Sequence, residues 1–384
     1  MKNGWQTKRL GEVCEIIKGR KPELKAAASN GDLPYLVAKV MRGSAEAEYA
    51  SVKDRNSVTV EESETIIICD GSNSGEVFTG FRGILSSTMG KISKKAEIDD
   101  DYLRAFLAST FEVFNGAKTG AAIPHLDKEA MYQLEFPFPS LPEQQRIVGI
   151  LDEAFAGLAT AKANAEKNLQ NARALFESHL QSVFTLRGKG WVEKRLEEIG
   201  KTQTGSTPKT SDQTNYGDFI SFVKPADFNP DGSLDYEKDG LSKTGLANAR
   251  VVPAGSVLMV CIGATIGKCG YCDQDVTTNQ QINALTPTDG SSHRFLYYQM
   301  LTDSFQRSVI HRSGQATLPI INKSKWSALS VWLPPTVAEQ KQIAAKFDLL
   351  VSETQRLASI YEQKLAALEG LKKSLLHQAF TGEL

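Results

Sequence analysis

The sequence predicts a mixed α/β (α+β) protein made by duplication: two similar globular units separated by two long antiparallel coiled-coil helices. Three observations carry this expectation. First, residues 142–184 contain no proline after Pro142 and are rich in Ala, Leu, Glu, Gln and Lys, all strong helix formers. Second, residues 338–380 have the same character. Third, the two stretches match each other at one offset, 196, with Glu143-Gln144 answering Glu339-Gln340, Asp152 answering Asp348, and Phe184-Thr185 answering Phe380-Thr381.

Within the first stretch, apolar or Ala side chains recur in steps of three and four, among them Ile147, Leu151, Leu158, Phe176 and Leu180. The second carries Ile343, Phe347, Leu350, Leu357 and Leu365 in the same rhythm. Such a seam asks for a helical partner. At 1.5 Å per residue each helix is roughly 60 Å long, too long for an ordinary globular helix and suited to a spacer. Pro142 fits a first helical turn, where its missing N–H costs nothing.

The segments before the helices repeat as well. Trp5, Lys8-Arg9-Leu10, Glu12-Val13 and Gly19-Arg20-Lys21-Pro22 recur as Trp191, Lys194-Arg195-Leu196, Glu198-Ile199 and Gly205-Ser206-Thr207-Pro208, at an offset of 186. Residues 69–75 align with 261–267 at 192, and Ile123-Pro124 with Leu318-Pro319 at 195. The drift is that of small loop insertions. The expected organisation is therefore a globular unit over 1–141, a spacer helix over 142–185, a second unit over 186–337 and a second spacer helix over 338–384. Residues 65–69 and 256–261 read as buried strands, each running into a Gly-bounded turn. Residues 101–114 and 292–310 read as helices, while the prolines near 137 and 334 mark extended exits.

Composition is that of an ordinary globular protein, 41% hydrophobic and 23% charged, with no apolar run near the length of a membrane span. Five cysteines form no even disulfide framework, so a reducing, cytoplasmic location is expected. The net charge of −1 does not by itself call for nucleic acid, and any basic surface has to be local or shared with a partner.

Several candidate active sites fail on spacing. Gly263 to Lys268 has three residues between its glycines where a phosphate loop has four, and Cys269 stands where Ser or Thr should bind Mg²⁺. Cys269 and Cys272 with Cys261 lack a second ligand pair for zinc. Asp231, Asp235, Glu237 and Lys238 read as a solvated acidic loop, and the five histidines sit in no triad or metal motif. No catalytic residue and no metal ligand is expected.

What remains is two similar units, expected as a pseudo-twofold pair, an arrangement suited to two DNA half-sites. Each unit has loops with side chains fit for phosphate or base-edge contact. In the first these are Lys18, Arg20, Lys21, Lys39, Arg42, Ser72, Asn73 and Lys118-Thr119. In the second they are Lys209, Lys224, Lys268, Asn279, Gln280, Gln281, Arg312 and Gln315.

Taken together in order, and twice, these motifs resemble the specificity (S) subunit of a Type I restriction–modification enzyme over essentially the whole chain. They include the paired Trp…Lys-Arg-Leu and Gly-x-x-Pro segments, Leu141-Pro142-Glu143-Gln144-Gln145-Arg146-Ile147, and Leu376-His377-Gln378-Ala379-Phe380-Thr381-Gly382-Glu383-Leu384. The first unit has Gly19-Arg20-Lys21-Pro22 where the family pattern is Gly-x-Thr-Pro. The resemblance implies two target-recognition domains reading a split double-stranded DNA target. It implies spacer helices that dock two modification (M) subunits, for which Ile147, Leu151, Leu158, Phe347, Leu350 and Leu357 are the expected contacts. S-adenosylmethionine would be held by the M subunits, and ATP and Mg²⁺ by restriction (R) subunits where present, with no cofactor in this chain. A helical scaffold that binds only protein, or a nucleotide hydrolase using Gly263–Lys268, are the rival readings.

Overall fold

The computed structural model describes residues 4–116, 125–314 and 318–384. Two units emerge. Unit 1 is Met1–Ala165 with Gln363–Leu384, and unit 2 is Glu166–Glu362.

Among the described residues unit 1 has ten strands: β1 (Gln6–Arg9), β2 (Cys14–Lys18), β3 (Asp32–Leu36), β4 (Tyr49–Ser51), β5 (Thr59–Val60), β6 (Ile66–Ile68), β7 (Val77–Phe78), β8 (Gly83–Leu85), β9 (Met89–Lys94) and β10 (Glu135–Phe138). They form sheets ordered β2-β9-β6-β7 and β4-β3-β8-β5 and a ribbon β1-β10, with β3 and β8 parallel. Unit 2 also has ten: β11 (Val192–Arg195), β12 (Gly200–Thr204), β13 (Tyr216–Val223), β14 (Gly240–Leu241), β15 (Val251–Val252), β16 (Ser256–Val260), β17 (Cys269–Cys272), β18 (Val276–Thr278), β19 (Ile282–Pro287) and β20 (Ser330–Leu333). Their sheets run β12-β19-β16-β17 and β14-β13-β18-β15 with a ribbon β11-β20, and β13 and β18 are parallel. Strand for strand, the two units share one topology.

The uninterrupted apolar runs of β6 and β16 follow from burial on both faces. Ile67 packs into one core of unit 1, and Ile66 and Ile68 into another. Val257 and Met259 likewise face one core of unit 2, and Leu258 and Val260 the other. Cys269 and Cys272 divide between those same two cores, so they do not converge on one ion.

The repeated Lys-Arg-Leu-x-Glu motif is a helix start. Glu12 Oε2 accepts the Arg9 N–H at 2.7 Å and Glu198 Oε2 accepts the Arg195 N–H at 2.6 Å, while Leu10 and Leu196 are fully buried behind them. Each helix expected over 101–114 and 292–310 is two helices instead, Asp100–Ser109 with Phe111–Gly116 and His293–Met300 with Asp303–Arg312. Threonine is the physical reason in both. Thr110 Oγ1 donates back to Leu107 C=O at 3.0 Å, and Thr302 Oγ1 both donates to Gln299 C=O at 2.7 Å and caps Phe305 N–H.

The central helix runs Leu141–Leu186 and the second long helix Val337–Thr381. The second is opened by Thr336 Oγ1, which accepts the Glu339 N–H at 3.2 Å, and closed by Gly382 at φ +81°. Within each unit the two helices run antiparallel. In unit 1, Arg146 reaches the Leu384 carbonyl at 2.8 Å and Lys162 pairs with Glu369 at 2.8 Å. In unit 2, Arg173 donates to Glu362 at 3.3 Å, and Phe176 and Phe184 pack on Phe347.

The repeated Glu-Gln pair fastens each helix to its unit. Gln144 is 1% exposed. Its Oε1 accepts the Asp99 N–H and its Nε2 donates to Pro139 C=O, both at 2.9 Å. Gln340 Oε1 accepts the Ser292 N–H at 2.8 Å. Phe380 closes the core of unit 1 against Tyr102 and Phe106, as Phe184 closes that of unit 2 against Phe295. Among the described residues no helix is long and apolar enough to cross a membrane.

Candidate nucleic-acid interface

In unit 1 the ends of four strands meet. The Gly19 N–H donates to Met89 C=O at 2.8 Å, and a Cβ at Gly19 would lie 2.3 Å from the Ser86 carbonyl oxygen, so only glycine lets β2 approach so closely. Ser86 N–H donates to Leu36 C=O at 3.1 Å, bringing in the end of β3. Asp70 N–H donates to Thr88 C=O at 3.1 Å, bringing in the end of β6.

Polar side chains gather on this junction. Lys18 Nζ and His125 Nδ1 lie 2.7 and 2.8 Å from the two oxygens of Asp70. Burial pushes the Asp70 carboxyl up, but Lys18 and His125 outweigh it and hold the group below its ordinary value. Arg42 pairs with Glu76, and Asn73 Nδ2 donates to the same Glu76 oxygen at 3.1 Å. The Arg42 guanidinium also stands over Phe78 at 5.8 Å. Ser72 Oγ bonds Asn73 Oδ1 at 3.2 Å, and Arg20, Lys21 and Lys39 are exposed nearby in sequence.

Unit 2 repeats the junction. Gly205 N–H donates to Ile282 C=O at 3.0 Å, and its Cβ would lie 2.3 Å from the Asn279 carbonyl oxygen. Ser206 N–H donates to Thr278 C=O at 2.9 Å and Asn279 N–H to Val223 C=O at 3.2 Å. Thr207 bonds Gln280, and Asn279 Nδ2 donates to Gln281 Oε1 at 2.9 Å. Lys224 Nζ pairs with Asp239 at 2.8 Å, Lys268 Nζ stands 6.0 Å over Phe228, and Lys209 is exposed.

One expected residue falls elsewhere. Arg312 donates to Ala328 C=O at 3.2 Å and lines a cleft with Arg187, Glu193 and Trp332, apart from the contacts that knit the junction. Lys118 and Gln315 lie outside the described residues, as do Thr119 and Ile123-Pro124. The docking list needs correction too. Ile147, Leu151 and Phe347 are at most 2% exposed and belong to the cores of their own units, so they offer a partner no surface. Leu158, Leu350 and Leu357 are half-buried. The large apolar side chains that these helices do expose are Leu175, Leu349, Ile360 and Leu371, with Leu186 at the end of the first.

Gly263 and Gly267, at φ +104° and +91°, turn the β16–β17 hairpin, as Gly71 and Gly75 turn β6–β7. A strand follows the loop, so no helix N-terminus faces a phosphate there. The acidic segment is a self-contained turn. Asp231 accepts from Ser233, and Asp235 accepts the Glu237 N–H and pairs with Lys238 at 3.2 Å. All five thiols are buried, which pushes Cys69 and Cys272 up to about 11 and Cys14 and Cys261 up to about 12.

The family described as Type I restriction modification DNA specificity domain matches residues 2–169 and again 188–364, one match per repeat. The chain belongs to this family. It is similar over 99% of its length to the Type I restriction enzyme MjaVIII specificity subunit of Methanocaldococcus jannaschii, with 25% identity and 93% of that relative covered. The HindI specificity subunit of Haemophilus influenzae is 30% identical over 47% of this chain and 41% of its own. In fold it resembles the HsdS subunit of Thermoanaerobacter tengcongensis, with a TM-score of 0.61, 19% identity and 98% of that chain covered. A second solved chain, from work on complex assembly and conformational transition of the type I R-M system, has a TM-score of 0.76 at 20% identity, with 99% of it covered. As a specificity subunit the chain is the non-catalytic, DNA-recognising member of its system, which disfavours the scaffold and hydrolase readings.

Sequence reasoning missed Asp70, Glu76 and His125. Asp70 and His125 stand 55 residues apart and Glu76 stands 34 from Arg42, and no local motif marks such pairs.

Proposed function

We propose that the two units each read one half of a split DNA target, and that the long helices dock two modification subunits and set the gap between the halves. The observation that supports this best is the repeated junction. One backbone framework, pinned by Gly19 in unit 1 and Gly205 in unit 2, carries different side chains in the two copies. Arg20, Lys21, Lys39, Arg42, Ser72 and Asn73 would serve the first half-site, and Lys209, Lys224, Lys268, Asn279 and Gln280 the second. Phosphate contacts would fix register while loop side chains meet base edges.

The boundaries that go with this reading are recognition domains over 1–141 and 186–337 and spacer helices over 142–185 and 338–384. Leu175, Leu349, Ile360 and Leu371 are the docking contacts we favour. The modification subunits would bring S-adenosylmethionine, restriction subunits would bring ATP and Mg²⁺, and the assembly would work in the cytoplasm.

The test is a methylome. The chain is expressed with its modification subunit in a methylation-free host, and N6-methyladenine is mapped by single-molecule sequencing. Two short half-sites around a fixed gap are expected. A single continuous motif, or none from an assembled and active complex, would refute the split-target reading.

A further inference from the structure

An isolated antiparallel bridge joins Asp70 to His125 in unit 1, and another joins Ile262 to Ile320 in unit 2. The two occupy the same place in the repeat. Each is followed by the same bond, Leu126 N–H to Cys69 C=O at 2.8 Å and Ile321 N–H to Cys261 C=O at 3.0 Å. The backbones match while the side chains are opposite in chemistry. Asp70 is 15% exposed and holds Lys18 and His125, whose side chain is 54% exposed. In unit 2 the bridge is purely aliphatic, and Ile320 is 45% exposed.

Asp70 stays ionised beside Lys18, so its oxygens only accept. The Nδ1 of His125 must then be the donor in their hydrogen bond. That fixes the tautomer and leaves Nε2 of the neutral ring as an acceptor. In the major groove, the amines at adenine N6 and cytosine N4 are the base donors such an acceptor meets. An isoleucine makes no hydrogen bond, and its counterpart there is the thymine methyl.

We propose that His125 is a specificity-determining residue of unit 1, reading an adenine or cytosine amine through Nε2, with Asp70 as its positioning residue. Ile320 holds the equivalent post in unit 2 and reads a thymine methyl. This rests on the reading in which the strand-end junctions face DNA.

The assay uses the full chain assembled with its modification subunit, with motif mapping and methylation of target duplexes. H125A relaxes one base pair of the first half-site, lowering its preference about five- to tenfold, the worth of one hydrogen bond plus the orphaned partner. D70A relaxes the same position by less. H125Q, which restores an amide oxygen, retains the preference and covers the case in which H125A does not assemble. The relaxed base identifies adenine or cytosine. For unit 2, replacing the read thymine by deoxyuridine removes one methyl and weakens the wild type about fourfold, whereas I320A is indifferent to the replacement. Unchanged preference in H125A, or equal loss at both half-sites in an assembled complex, overturns the assignment of His125. Insensitivity of the wild type to deoxyuridine at every thymine overturns that of Ile320. A wild type with no split motif instead removes the reading on which both rest.

Discussion

Replacing Gln144 by leucine keeps the side-chain volume and removes two hydrogen bonds at a site that is 1% exposed. The Asp99 N–H and the Pro139 carbonyl each lose their partner, both now 2.9 Å from the amide. A buried polar group left unpaired costs about 1–3 kcal/mol. Leucine returns a little through its apolar surface. We therefore expect Q144L to lower the stability of unit 1 by about 2–4 kcal/mol. Q340L orphans one recorded donor, the Ser292 N–H, and should cost about half as much. Native-state hydrogen exchange reads both. In Q144L the amide of Asp99 and those of the helix it opens should exchange at least tenfold faster, since 1.4 kcal/mol is a factor of ten, while unit 2 is unaffected. If exchange at Asp99 and the urea midpoint of unit 1 stay at their wild-type values, the Glu-Gln motif is not the clamp described here.

Other outcomes follow from the same contacts. G205A drives a methyl group to within 2.3 Å of the Asn279 carbonyl oxygen, so it should destabilise unit 2 in a thermal melt and weaken recognition of the second half-site ahead of the first. F380A removes a ring packed on Tyr102 and Phe106 and should cost unit 1 about 3–5 kcal/mol in urea unfolding. The Asp70 carboxyl has a folded-state pKa below its unfolded value, so its contribution is complete above about pH 4 and is lost as pH falls through the folded value. D70N should flatten that acid limb in a pH series of unfolding midpoints. The five thiols, all raised by burial, should ignore a thiol reagent at pH 8 until denaturant is added, and early labelling of any one would contradict its burial.

The long helices and the duplication were legible because their signals are local or exactly repeated along the chain. Expected limits of 142–184 and 338–380 compare with Leu141–Leu186 and Val337–Thr381. The strands at 65–69 and 256–261 were legible for the same reason. Composition could not show that Thr110 and Thr302 would each split a helix, because the hydroxyl's choice of a backbone partner competes with the helix itself. Nor could it separate seam residues that fill a core, such as Ile147 and Phe347, from those left half-buried, such as Leu350 and Leu357. Residue type and loop position made Arg312 a candidate contact, whereas it ends the helix Asp303–Arg312 and donates to Ala328. The acidic members, Asp70 and Glu76, orient the basic groups through pairs that only the fold brings together.

The way each long helix begins in one unit and ends in the other has a consequence for biosynthesis. Unit 1 draws Leu376, Ala379 and Phe380 into the core that Leu10, Tyr102 and Ile147 begin. When residues 1–165 leave the ribosome, that core has an open face, and some two hundred further residues must be made before the plug arrives. At about 5–20 residues per second this leaves roughly ten to forty seconds of exposure. Unit 2 suffers no comparable wait, because its segments lie together in one continuous span, Glu166–Glu362. The nascent chain should therefore complete its later half first, with the earlier half held in an incomplete and aggregation-prone state until the final helix returns to it.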